Sequence, residues 1–151
     1  MATSTKTQVE ALEVRRTFKA QRQRVFDAWT RPEELTKWSA PGPIVPELAE
    51  VDLRVGGKYR INMRSPDGTA HRAVGSYREV DPPRRLVYTW TWETDADPID
   101  TLVTVEFHDR GGSTEVVLRH EGFPSAAKRD GHDAGWIGCF DKLGTLLAGE
   151  R

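Results

Sequence analysis

Apolar residues alternate with polar ones along most of this chain, and only near its end does the spacing change to that of a helix. Ala11–Ala20 sets Leu12, Val14, Phe18 and Ala20 against polar neighbours, which predicts a first strand with one buried face, although Arg16 falls on the apolar side. Val25, Phe26 and Trp29 within Gln21–Thr30 sit at helical spacing. Arg31-Pro32-Glu33-Glu34 then restarts a second short helix carrying Leu35 and Trp38, with the proline suited to its first turn and the glutamates to its positive end. Ser39–Pro46 holds three prolines and a glycine and reads as a stiff loop.

The middle of the chain is a series of strands. Leu48–Val55 places Ala49, Val51, Leu53 and Val55 on the core side, and Gly56-Gly57 turns it tightly. Lys58–Arg64 sends Tyr59, Ile61 and Met63 inward. Ala70–Val80 sends Ala73, Gly75 and Tyr77 inward, but Val74 and Val80 take the other parity, which a bulge near Gly75 would reconcile. Arg85–Glu93 is the most aromatic strand, with Leu86, Tyr88, Trp90 and Trp92 on one face. After the acidic loop Thr94–Asp100, Thr101–His108 presents Val103, Val105 and Phe107. Past the turn Gly111-Gly112, Thr114–His120 presents Thr114, Val116, Leu118 and His120. Glu121–Gly131 reads as a connecting loop.

His132–Ala148 then gathers His132, Trp136, Cys139, Phe140, Leu143, Leu146 and Leu147 within about a third of a helix circumference. Such a stripe needs a wall. A helix of this length spans about 25 Å, and a seven-residue strand spans about 23 Å. The economical packing is therefore α+β: one curved antiparallel sheet, in the order β-α-α-β6-α, wrapped around the long C-terminal helix. Trp136 then faces the strand Leu86–Trp92. Gly135 beside it implies either close backbone approach or a reserved space. Residues 1–9 read as a flexible tail and 10–151 as one domain.

Composition narrows the function. With 22 basic residues against 23 acidic ones, the chain lacks the charge excess of a protein that binds nucleic acid by bulk electrostatics. No apolar run is long enough to span a membrane, and the first ten residues hold no apolar signal core. The single cysteine, Cys139, excludes a disulfide within the chain and favours a reducing compartment, so a cytoplasmic location is expected.

Several spaced segments together resemble a known family. They are Val25-Phe26-Asp27-Ala28-Trp29-Thr30 with Pro32-Glu33 and Trp38, Arg54-Val55-Gly56-Gly57-Lys58-Tyr59, Gly75, Pro82-Pro83-Arg84-Arg85-Leu86-Val87, His120 with Gly122-Phe123-Pro124, and Gly135-Trp136. Their order resembles the family named after the activator of the heat-shock protein 90 ATPase, in its C-terminal-domain-like branch. That family lies within the SRPBCC superfamily, which shares the START and birch-pollen-allergen helix-grip fold. The resemblance spans roughly residues 10–147. It implies a cavity between sheet and helix, often open to hydrophobic small molecules. It also brings a chaperone-interaction or stress-response role, and the cyclase-type enzymes of the superfamily bring a third reading.

The candidate chemistry follows from what faces inward. Trp38, Tyr59, Met63, Tyr77, Trp90, Trp92, Phe107, Trp136 and Phe140, with His120 and His132 at one rim, form a candidate wall for a hydrophobic or amphipathic ligand. Simple core packing is the competing reading for each of them. For an enzyme, the acid or base would be His120 or Glu79, the latter sharing parity with Tyr77. A metal site drawn from His120, His132, Glu121 and Asp133 has no recognised spacing, and no metal or cofactor is expected. Gly56-Gly57 and Gly111-Gly112 are turns and not nucleotide-binding loops. Both a monomer and a homodimer remain open.

Overall fold

The computed structural model describes residues 10–96 and 98–149; the tail expected over residues 1–9 lies outside them. Seven strands form one antiparallel sheet. In chain order they are β1 (Glu10–Phe18), β2 (Val45–Val51), β3 (Lys58–Arg64), β4 (Ala70–Asp81), β5 (Arg85–Trp92), β6 (Thr101–Asp109) and β7 (Thr114–Phe123), and their order across the sheet is β1-β7-β6-β5-β4-β3-β2. The hairpins run consecutively from β2 to β7, and β1 then pairs with β7. The link from one sheet edge to the other is made by α1 (Arg22–Thr30) and α2 (Pro32–Trp38). The long α3 (Ala126–Ala148) packs against β1, β7 and α2. This is the sheet wrapped on a long helix that the alternation predicts, and the helix-grip arrangement that the resemblance implies.

The core lies between the sheet and these helices. Leu86, Val103, Val105, Val116 and Leu118 on the strands are wholly buried, as are Phe140 and Leu143 on α3. Phe107 of β6 meets Phe26 edge-on at 5.3 Å and Trp29 at 5.6 Å, and Trp29 in turn meets Phe140 at 5.7 Å. These rings join α1, α3 and β6 in one cluster. Arg16, out of pattern in the sequence, is accommodated at the edge of that cluster. Its guanidinium lies 5.8 Å from the centre of the Phe140 ring and bonds Asp141 at 2.8 Å, so its stem covers apolar surface while its charge stays paired.

Several boundaries differ from the pattern for physical reasons. The Ser125 side chain accepts from the backbone N–H of Lys128 at 3.2 Å, which caps α3 a turn and a half before His132. Ala126–Gly131 is therefore helix and not loop. Glu121–Phe123 continues β7 through an irregularity opposite Glu10–Ala11, where Gly122 adopts φ 101° and Phe123 is buried. The strand expected from Leu48 begins at Val45 instead. A register shift between Pro46 and Leu48 leaves Pro46 and Ala49 buried, and the strand ends at Val51. Leu53 and Val55, expected in the core, sit in the turn that follows and are exposed at 37% and 65%.

The bulge in β4 lies between Tyr77 and Glu79, past Gly75. One extra residue there brings Val80 back to the core side and keeps Glu79 out of it. Glu79 pairs with Arg85 at 3.2 Å with its side chain half exposed, so it is not the inward acid that parity allowed. Gly75 has a different task. A Cβ at that position would lie 1.9 Å from the Thr89 carbonyl oxygen and 2.7 Å from the Tyr59 ring, which crosses this point to donate its hydroxyl to Thr89. Gly75→Ala is expected to force β4 from β5 and destabilise the fold by about 1–3 kcal/mol or more. Thermal melts check this, and an unchanged melting temperature would show that the approach is not tight.

Candidate ligand-binding site

A cleft of about 290 Å³ lies between β5 and the first half of α3. Trp90 and Trp92 of β5 and Met63 of β3 form its floor. Gly131, His132, Gly135, Trp136 and Cys139 form the α3 wall, and Ser39 and Pro41, from the stiff loop after α2, close one end. Ala127 and Lys128 are exposed and mark the mouth. No carboxylate is among the lining residues; Lys128 brings the one charge. Gly135 is where the helix makes room, since a Cβ there would have only the Pro41 ring for company, at 3.8 Å. At the next helical glycine, Gly138, a Cβ would lie 3.3 Å from the Pro41 side chain. Gly135 thus leaves space beside the helix, and Gly138, three residues on, allows a close approach.

The two histidines are tied to the wall by chains whose direction is fixed. The Trp136 indole N–H donates to His120 Nδ1 at 3.0 Å. The Thr101 hydroxyl donates to the Trp90 carbonyl at 2.8 Å, so at the 2.7 Å contact with His120 Nε2 it must accept. His120 is therefore the neutral tautomer protonated on Nε2, with both nitrogens engaged. Burial drives its pKa down to about 3, and His132 nearby adds to the effect. The ring is wholly buried behind Trp136. His132 is arranged in the opposite sense: its Nε2 accepts from Trp92 Nε1 at 2.9 Å, and its Nδ1–H donates to the Lys128 carbonyl at 2.8 Å. The rings of His120 and His132 lie 5.4 Å apart with Phe123 packed against both.

The residues singled out in the sequence fall into three groups. Met63, Trp90, Trp92, His132 and Trp136 line the cleft. Trp38, Tyr59 and Tyr77 surround a separate void of about 30 Å³ deeper in the molecule, together with Tyr88, Trp90 and Trp136. Burial raises the pKa of all three tyrosines there, so their hydroxyls stay protonated. Phe107, Phe140 and His120 line neither space. The phenylalanines belong to the ring cluster around Trp29, and His120 supports Trp136 from behind.

Ala127 and Lys128 escaped the sequence reading because the helix was begun at His132; Ser125 as a cap was the available signal. The drawn metal set does not assemble, since Glu121 turns to Arg119 at 3.6 Å and both imidazoles are engaged. The Cys139 thiol, pushed up to about 12 by burial, stays protonated and is a wall atom and not a nucleophile.

Four of the five indole N–H groups have protein partners. Trp29 donates to the Tyr88 hydroxyl and Trp38 to the Ala28 carbonyl, and Trp92 and Trp136 donate to the histidines. The fifth belongs to Trp90. Among the described residues its Nε1 is the one buried side-chain nitrogen or oxygen without a hydrogen-bond partner in the protein. Leaving such a donor unpaired costs about 1–3 kcal/mol.

Comparison with known proteins agrees with this fold. Residues 19–148 match the model of the family described as Activator of Hsp90 ATPase homolog 1-like protein. The crystal structure of a protein from Chromobacterium violaceum shares 27% identity and superposes with a TM-score of 0.86, covering 93% of this chain and 98% of that one. A protein from Nitrosomonas europaea, also 27% identical, has a TM-score of 0.78 over 93% and 96% of the two chains. The AHSA1 protein from Silicibacter pomeroyi, at 22% identity, shares the fold with a TM-score of 0.84 over 94% of this chain and 100% of its own. No curated protein matches.

Two measurements test the wall. Trp136→Ala is expected to cost about 3–5 kcal/mol, as truncations of core aromatics do. Trp136→Phe keeps most of the ring but leaves His120 Nδ1 without its donor, at about 1–3 kcal/mol. Thermal melts that show neither loss would place Trp136 outside the core. The second measurement is pH dependence. Folded His120 stays neutral to about pH 3, whereas in the unfolded chain it takes up a proton near its ordinary pKa of about 6.5. Between those values the unfolded state binds the extra proton, so stability is lost as pH falls from about 6.5 towards 3. At about 1.4 kcal/mol per unit, the loss reaches several kcal/mol. Denaturant melts of His120→Gln, which cannot take that proton, are expected to fall less steeply with acid than those of the parent; parallel slopes would refute the assignment.

Proposed function

The chain belongs to the Activator of Hsp90 ATPase homolog 1-like family, within the SRPBCC helix-grip superfamily, and on that premise we propose that it binds a hydrophobic or amphipathic small molecule in the cleft between β5 and α3. The observation that carries this reading is the cleft itself. Protein interiors seldom leave voids larger than a water molecule, and an engineered apolar cavity of about 150 Å³ already takes up benzene. A space of about 290 Å³ walled by three tryptophans and a methionine is about twice that. It is not a failure of packing, because the glycine that opens it stands in a helix interior where alanine would be favoured by about 1 kcal/mol.

The competing readings have less to stand on. For acid–base catalysis, Glu79 is outside the sheet in an ion pair, and His120 has no free lone pair to receive a proton. A chaperone-interaction role rests on the family's name alone. The ligand-binding role has Met63, Trp90, Trp92, His132, Trp136 and the ends supplied by Ser39 and Pro41 as its contact surface.

Gly135→Leu tests it. The variant gains helix propensity, so it is expected to fold with a melting temperature at or above the parent's. Its side chain enters the cleft. In the parent, naphthalene is expected to quench tryptophan fluorescence saturably, and native mass spectrometry of protein from its own cells is expected to show a bound small molecule. The variant should lose both. Absence of saturable quenching in the parent, or equal binding by the variant, would overturn the proposal.

A further inference from the structure

We propose that the molecule bound in the cleft is uncharged, about the size of two fused rings, and carries one hydrogen-bond acceptor, such as a carbonyl or ether oxygen, that pairs with the indole N–H of Trp90. This rests on the ligand-binding reading above and deepens it. The selection comes from what the wall offers. Trp90 is 7% exposed and forms part of the cleft floor. Its Nε1 is shut off from water and has no partner in the protein. The neighbouring indole, imidazole and Ser39 donors are committed: Trp92 and Trp136 to the histidines, the histidines to Thr101 and the Lys128 carbonyl, and the Ser39 hydroxyl to the Leu35 carbonyl at 2.6 Å. Among the buried side-chain groups of the described residues this donor alone is left unpaired, and it belongs to a ring that forms part of the cleft floor.

A donor with nothing to meet is matched by an acceptor. A charged acceptor is disfavoured, because a carboxylate taken to the floor would lose its water against carbon, and the one cation, Lys128, stands at the mouth. The indole also has room to adjust, since voids of about 30 and 40 Å³ flank the same ring on other sides of the cleft. The pairing requires a tilt of the ring that brings its N–H to the cleft surface. The size follows from the volume: about 290 Å³ against about 150 Å³ for a cavity that takes one benzene ring.

Three probes of one shape decide it: 2-acetylnaphthalene, its hydrocarbon isostere 2-isopropenylnaphthalene, and 2-naphthoate. Titrations are followed by calorimetry and by the indole N–H signals of nitrogen-15-labelled protein, with the Trp90 signal assigned from Trp90→Phe. The ketone is expected to bind about tenfold more tightly than the hydrocarbon, a typical worth for one buried hydrogen bond, and to move the Trp90 indole proton downfield more than any other. Trp90→Phe is expected to bind ketone and hydrocarbon alike. Equal binding of the two by the parent, or an unmoved Trp90 signal, overturns the inference while leaving ligand binding in place. Tightest binding of naphthoate overturns it in favour of recognition at Lys128. Binding of none of the three overturns both readings. Should Trp90→Phe fail to fold, the parent's preference and its shifted indole signal, identified by elimination through the other four tryptophans, still decide.

Discussion

One hydrogen-bond chain holds this molecule's geometry: Trp136 of α3 to His120 of β7, His120 to Thr101 of β6, and Thr101 to the backbone of Trp90 in β5. Four elements that follow one another in the chain are pinned through one buried imidazole. The imidazole works because it is bifunctional, with one nitrogen accepting and the other donating. A protonated ring would present a second N–H to the Trp136 N–H, so the fold that depends on the chain also enforces the neutral form. The low pKa of His120 and the position of α3 are two views of the same constraint.

A second chain runs the other way, from Trp92 of β5 to His132 of α3 and on to the Lys128 carbonyl. Two indole–imidazole contacts thus fasten the first half of α3 to the sheet, while its second half is held by Phe140, Leu143 and Leu147 in the core. The helix can stand off from β5 between these attachments without coming loose. That is how a cleft survives beside a densely packed ring cluster: directional bonds hold what contact area does not. Gly135 adds space on the helix side, and Pro41 against Gly138 sets how far the loop can advance into it.

Much of this was legible in the sequence because period-two alternation records which face of a strand is covered. The inward sets of β3, β5, β6 and β7 come straight from it, as does the stripe on α3. Errors arose where one residue changes the register. The extra residue after Tyr77 restores Val80 to the core and expels Glu79, and no local signal marks Arg78 as the bulged position. β2 takes an irregular step between Pro46 and Leu48 and ends at Val51, and Leu53 and Val55 beyond it lie in a turn with an apolar look and no core to enter. The start of α3 was missed because Ser125-Ala-Ala-Lys has a cap but no apolar stripe; the helix there faces the cleft mouth and solvent. Periodicity reports burial, and a helical turn that lines a cleft is not buried.

The site was harder to read than the fold for a related reason. An aromatic residue on an inward face has the same sequence signature whether it packs in a core or walls a cleft. Phe107 and Phe140 proved to be the former, and Trp90, Trp92 and Trp136 the latter. What separates them is the fate of the polar atom each carries. Phenylalanine has none and can be surrounded on all sides. A buried tryptophan needs a partner for its N–H, so its position is dictated by where an acceptor stands, and four of the five here meet that demand within the protein. Polar accounting in three dimensions thus distinguishes residues that hydropathy treats alike. The two histidines considered as candidate acids are the acceptors for two of those indoles, and the fifth indole, that of Trp90, is the one left without a protein partner.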